Sequence, residues 1–184
     1  AILYNDIGVT FLRQDRFAES MIWFSKSKAL AYEHAEVGDD LLVLLNIGFL
    51  LERQKEVEKS LAYYKEYEDF LRMKDDSKDA LANLYNRFGS YYLDLDSIAQ
   101  SKSYFLKADS VYQIVHPEKH NANSVTNLAI IHFIEGRHED ALNGFQLALK
   151  LRKRQGQKEM ISESLLNLGD YFYRLNDMDQ AVQF

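Results

Sequence analysis

Five short stretches repeat through this chain: Asn5-Asp6-Ile7-Gly8, Leu45-Asn46-Ile47-Gly48, Asn86-Arg87-Phe88-Gly89, Thr126-Asn127-Leu128-Ala129 and Asn167-Leu168-Gly169. A small residue closes each, at 8, 48, 89, 129 and 169, so the copies are 40 or 41 residues apart. Three residues later stand Phe11, Leu51, Tyr92, His132 and Phe172. Nine later stand Phe17, Val57, Ile98, His138 and Met178. Twelve later the residue is small again: Ser20, Ser60, Ser101, Ala141 and Ala181. Sixteen later comes an aromatic, Phe24, Tyr64, Phe105 or Phe145. A period of this length is the mark of a repeat architecture.

The spacing inside one copy dictates its local structure. Tyr4, Ile7, Gly8 and Phe11 follow the i, i+3, i+4, i+7 rule and share one helical face. Phe17, Ser20, Met21, Phe24 and Ser27 do the same after the polar turn Arg13-Gln14-Asp15-Arg16. Each copy is therefore an antiparallel helix pair. The small residues mark where the two helices approach most closely, with aromatics beside them. The sequence predicts one array across 1–184, with units at about 1–40, 41–81, 82–121, 122–161 and a truncated 162–184. His132 and His138 stand where the other copies carry aromatic or apolar residues and are expected in or near the core. Gly144 falls inside a predicted helix without a role in the pattern, and Gly38 and Gly156 are expected in turns.

The fourth copy carries Leu128, Ala129, Gly136, Ala141, Phe145 and Ala148, and so resembles the tetratricopeptide repeat. The resemblance covers the whole chain. It implies an all-α, right-handed superhelical solenoid of about four and a half units. The period is longer than the commonest version of the repeat. In that it is similar to polarity adaptors, bacterial Rap-type peptide-sensing regulators and the arrays ahead of bacterial sensor kinases. The second copy departs from the pattern at Tyr67, where a small residue is usual.

In arrays of this family the side of the first helices away from the core stripe lines a concave groove. The resemblance places Asn5, Val9, Arg13, Asn46, Phe49, Arg53, Asn86, Arg87, Asn127, Ile130, Ile134, Asn167, Asp170 and Arg174 there. Leu166 and Tyr173 join them in the fifth copy, with Asn83 and Asn123 in the third and fourth. An amide side chain donates and accepts at once, so an asparagine ladder can hold a peptide backbone. The alternative is that these asparagines are simply the usual residue before the small one. Phe49, Ile130, Phe133 and Ile134 are apolar where solvent is expected. They form either a docking patch or packing between neighbouring first helices. No groove position is a lysine, so the carboxylate clamp of chaperone-tail-binding members is not expected.

Composition and charge narrow the function classes. Of 184 residues, 47% are hydrophobic and 27% charged, which is globular, and a single proline favours long helices. Absent cysteine removes thiol nucleophiles, disulfides and thiolate zinc sites, and leaves cytoplasm and periplasm both open. The net charge of −6 does not suit direct nucleic-acid binding. Lys150, Arg152, Lys153, Arg154 and Lys158 cluster where a helix ends, as cations favouring a helix C-terminus do. The longest apolar run, Leu41 to Leu51, is too short to cross a bilayer. His116 and His120 have a ligand-like spacing, with Glu118 between them, but Pro117 breaks any helix there. His34 is alone, and no nucleophile elbow or phosphate loop occurs.

The expected function is a non-catalytic scaffold that binds a peptide or protein segment in the groove, with no cofactor and no metal. A ligand-sensing or regulatory region of a bacterial signalling protein is the first alternative, and a spacer without a ligand the second. The chain reads as a fragment of a longer protein, with Leu165, Leu168 and Phe172 exposed at a truncated end that favours self-association.

Overall fold

A computed structural model describes residues 1–33, 41–74, 77–117, 119–156 and 158–184. Its helices are α1 (Ile2–Arg13), α2 (Phe17–Glu33), α3 (Leu42–Arg53), α4 (Val57–Met73), α5 (Lys78–Asp94), α6 (Ile98–Val115), α7 (Ala122–Ile134), α8 (His138–Arg154), α9 (Lys158–Arg174) and α10 (Met178–Ala181). No strand occurs among the described residues. The chain divides into two compact units, Ala1–Asp75 and Asp76–Phe184. In the first, α1 pairs with α2 and α3 with α4, and α2 leans on α3. In the second, α5 pairs with α6, α7 with α8 and α9 with α10, while α6 meets α7 and α8 meets α9. Gly38 and His34 lie outside the described residues, as does Glu118.

One turn is used five times. Asp15, Lys55, Asp96, Gly136 and Asn176 all have positive φ, between 56° and 75°. The next N–H in each case closes a bond to the carbonyl five residues back: Arg16 to Phe11 at 3.0 Å, Ser97 to Tyr92 at 2.8 Å, Arg137 to His132 at 2.8 Å. Glu56 to Leu51 and Asp177 to Phe172 complete the set. This is the left-handed stop that satisfies the orphan carbonyls of a first helix and reverses the chain. Gly136 takes it without cost, whereas Lys55 carries a Cβ into the left-handed region.

The close crossings lie where the small residues predict. A methyl added at Gly8 would collide with the Phe24 ring, at Gly48 with Tyr64 and at Gly89 with Phe105. Phe24, Tyr64 and Phe105 are fully buried on those glycines. The serines twelve residues on add an interaction that the spacing alone did not reveal. Ser20 Oγ donates to the Gly8 carbonyl at 2.8 Å, Ser60 Oγ to Gly48 at 2.9 Å and Ser101 Oγ to Gly89 at 2.7 Å. The fourth pair has Ala129 and Ala141 and lacks that bond. It also explains Gly144, whose added Cβ would come within 2.7 Å of the Ala129 Cβ. The extra methyl on α7 is accommodated by the missing one on α8.

Two expectations are corrected. His138 is exposed, because it opens α8 at the surface with its ring against the edge of Phe133 at 5.4 Å. His132 is half-buried, as expected. At the far end Leu168 and Phe172 are buried, not exposed, and Leu165 is half-buried. The short α10 folds back on α9, and Phe184 stacks on Phe172 with centroids 5.8 Å apart.

Candidate functional site

The first-helix positions are treated unit by unit. In the first unit, Asn5 is buried and its side-chain oxygen accepts from Asn46 Nδ2 at 2.8 Å. The two amides therefore tie α1 to α3. Val9 and Phe49 are half-buried against a core cluster of Leu12, Phe24, Val43, Ile47, Leu50 and Leu51. Burial of that kind favours the packing alternative for Phe49 over a docking patch. Arg13 is exposed. Arg53 pairs with Asp15 at 2.7 Å and lies over the Phe17 ring at 5.3 Å.

In the second unit, Asn86 is buried. It accepts from Ser124 Oγ at 2.9 Å and donates to Asn121 Oδ1 at 3.4 Å, joining α5 to the start of α7. Arg87 is half-buried. Ile130 and Phe133 pack against a cluster of Ala129, Ala141, Phe145, Leu168, Tyr171 and Phe172. Ile134, in contrast, is 53% exposed. On α9, Leu166 is 71% and Tyr173 60% exposed. They stand seven residues apart on one stripe, with Asp170 between them held by Arg174 at 2.7 Å. Asn127 and Asn167 are half-buried, and their amides have no partner among the described residues. The ladder expected from the sequence thus splits. Asn5, Asn46 and Asn86 hold helices together, while Asn127 and Asn167 remain available.

Arg152 stands in the last turn of α8, as the reading of cations at a helix C-terminus expects, but unlike its neighbours Lys153 and Arg154 it is buried. It is 1% exposed, at the end of α8, beneath the starts of α7 and α9. Nη1 donates to Ser164 Oγ at 2.7 Å and to the Met160 carbonyl at 3.2 Å. Nη2 donates to Asn123 Oδ1 at 2.9 Å and lies 3.8 Å from a Glu163 oxygen. Burial pulls the guanidinium below its usual affinity for a proton, and Glu163 opposes this. Only the spacing of Arg152 with buried Phe145 and Ala148, at i, i+3, i+7, could have flagged it.

The histidines form separate pairs. His116 Nε2 meets Asp79 at 3.0 Å, and His120 Nδ1 meets Asp109 at 2.7 Å. Among the described residues no group of three or more His, Asp or Glu is placed to hold a metal. No helix among them is long and apolar enough to cross a membrane. Lys102, on α6, grips Glu135 after α7 at 2.8 Å, and this hydrogen bond holds the Glu135 carboxyl below its usual range.

Stacked antiparallel helix pairs define a helical-repeat solenoid of the protein-interaction type. The chain belongs to the tetratricopeptide repeat family: models described as tetratricopeptide repeat match residues 82–113 and 120–184. Response regulator aspartate phosphatase A of Bacillus subtilis is 25% identical over 138 residues, which cover 72% of this chain and 35% of that protein. The chain thus spans about a third of that relative's length. Two solved structures share the fold. Aspartyl phosphate phosphatase F from Bacillus subtilis is 16% identical with a TM-score of 0.81, over 98% of this chain and 47% of that one. BtubC from P. vanneervenii is 16% identical with a TM-score of 0.75, over 96% and 73%.

Proposed function

We propose that this array is a non-catalytic scaffold that docks a peptide or protein segment on the first-helix face, chiefly through α7 and α9. The single observation behind it is the exposed stripe of Leu166 and Tyr173 beside the unpartnered amide of Asn167. Apolar side chains with an amide next to them suit an extended segment, whose backbone the amide can meet while the apolar side chains take its side chains. A rigid helix pair keeps the ordering cost on the ligand. Asn127, Ile130, Ile134, Asp170 and Arg174 complete this face. Asn5, Val9, Arg13, Asn46, Phe49 and Arg53 belong to the corresponding face of the first unit, and Asn86 and Arg87 to α5 of the second.

The likeness to a response regulator aspartate phosphatase supports a second reading, a regulatory region of a bacterial signalling protein. Both readings share the docking step. They differ in its outcome, a partner simply held in the first and a signal passed on in the second. A photo-crosslinker placed at position 173 should trap the partner, and one at position 107 on α6 should not. Trapping only at 107 would contradict the proposal.

A further inference from the structure

Gln146, Leu149, Lys150 and Lys153 follow the i, i+3, i+4, i+7 rule and share one stripe of α8. This stripe borders a cleft of about 520 Å³ in the second unit. Leu149, Leu168 of α9 and Phe184 after α10 supply its apolar surface, and Lys150, Lys153 and Arg154 its charged edge. The volume lies within the roughly 300–1,000 Å³ of clefts that bury a ligand.

The charge there is of one sign. No carboxylate side chain lines the cleft. Lys150, Lys153 and Arg154 are exposed and have no ion pair among the described residues. Elsewhere on this acidic chain Arg16, Arg53, Lys59, Lys102 and Arg137 each sit against a carboxylate. The C-terminal end of α8 offers about half a negative charge, which Lys153 and Arg154 share with Arg152. The cleft therefore keeps a positive edge.

The first unit shows how the same stripe is met by a helix. Lys28 and Tyr32 of α2 stand 20 and 24 residues after Gly8, as Leu149 and Lys153 stand after Ala129. Both reach Glu66 of α4: Lys28 Nζ donates to one carboxylate oxygen at 3.3 Å, and the Tyr32 hydroxyl donates to the other. The Lys28 ammonium also lies 4.6 Å from the centre of the Tyr63 ring. A helix that presents a carboxylate and an apolar ring thus covers the stripe of α2. The fifth crossing, beside the α8 cleft, is loose by comparison. A Cβ added at Gly169 would meet only the Ala181 carbonyl at 3.5 Å and Phe184 Cβ at 3.8 Å, whereas rings press on Gly8, Gly48 and Gly89.

We infer that this cleft docks an acidic amphipathic helix of a partner protein. Its apolar side chains pack on Leu149, Leu168 and Phe184, and its carboxylates meet Lys150, Lys153 and Arg154. Exposed ion pairs add little each, so the apolar contacts supply most of the affinity and the cations select an acidic helix over a basic one. The site belongs to the second-helix side and does not rest on the first-helix docking face.

The probe is a fluorescein-labelled, amidated peptide with the Val57–Met73 sequence of α4, made acidic by Lys59→Glu, Lys65→Glu and Arg72→Glu. A second peptide keeps the apolar stripe but is made basic by Glu58→Lys, Glu66→Lys, Glu68→Lys and Asp69→Lys. Fluorescence anisotropy with the full chain should show saturable binding of the acidic peptide that weakens as salt rises, and binding of the basic peptide weaker by about tenfold or more. In the chain, Lys150→Glu with Lys153→Glu should weaken the acidic peptide by about tenfold or more. Lys150→Gln with Lys153→Gln is the second pair should the reversal disturb folding. Lys65→Glu with Lys107→Glu changes the net charge equally, away from the cleft, and should leave binding near that of the parent. Equal binding of the two peptides, no saturable binding, or equal losses in the two charge-reversed chains would overturn the assignment. A dimer of the chain alone that Lys150→Glu with Lys153→Glu dissolves would give the cleft to a second copy and overturn it as well.

Discussion

The Nδ2 of Asn46 donates to the side-chain oxygen of Asn5 at 2.8 Å. Two residues that the sequence places in a ligand groove are therefore bonded to each other across α1 and α3. Asn46→Ala should destabilise the first unit by about 0.5–1.5 kcal/mol, the net worth of one hydrogen bond, with more if Asn5 is left dry. Partner capture through α7 and α9 should persist. Thermal melts of Asn46→Ala and Asn127→Ala make the comparison, and only the former should shift.

The serine at each crossing has a hydrogen-bonding role besides its size. Ser60→Ala removes the bond to the Gly48 carbonyl and should cost about 1 kcal/mol. Ser60→Leu should cost about 1–3 kcal/mol through overpacking. Denaturant unfolding that finds Ser60→Ala neutral would show that only the small size matters, as the natural Ala141 allows.

The repeated left-handed turn is least suited to Lys55, at φ 62°. Glycine there avoids a penalty of about 1–2 kcal/mol, offset in part by the freedom it adds to the unfolded chain. Lys55→Gly should raise the unfolding midpoint, whereas Gly136→Lys should lower it. A fall with Lys55→Gly would contradict the turn assignment.

Removing the buried charge of Arg152 tests the joint of α7, α8 and α9. Arg152→Ala deletes charge-assisted bonds to Ser164 and Asn123 and should destabilise the second unit by about 2–3 kcal/mol. Arg152→Lys cannot span both partners and should restore little. Melts of the two variants decide it, and a wild-type midpoint for Arg152→Lys would sink the two-armed account.

Much of the fold was legible because a 40-residue period constrains five copies at once. Gly8 with Phe24, and Gly48 with Tyr64, were readable as spacing alone. What pattern could not supply was pairing between copies. Asn46 and Asn127 share a register position, yet one is bonded across helices and the other is not. Arg152 looks like any cation at a helix end until the i, i+3, i+7 stripe with Phe145 and Ala148 is seen to be buried. His138 occupies the register position of Phe17, Val57, Ile98 and Met178 but opens a helix at the surface, where register does not imply burial. On α9 the candidate face was half visible: Leu166 and Tyr173 lay in the expected register, but their exposure depends on which neighbours cover them.

The central claim is that the α7–α9 first-helix face binds the partner. Its most direct measurement is the affinity of a partner, isolated with the intact array, for a matched set of variants. Tyr173→Ala should lose about 2 kcal/mol, near thirtyfold in Kd, as a buried aromatic anchor does. Asn167→Ala should lose about 0.5–1.5 kcal/mol. Lys65→Ala and Lys107→Ala, on second helices, should bind as the parent does. Wild-type affinity for Tyr173→Ala and Asn167→Ala, with binding lost in Lys65→Ala or Lys107→Ala, would contradict the account and move the site to the second helices.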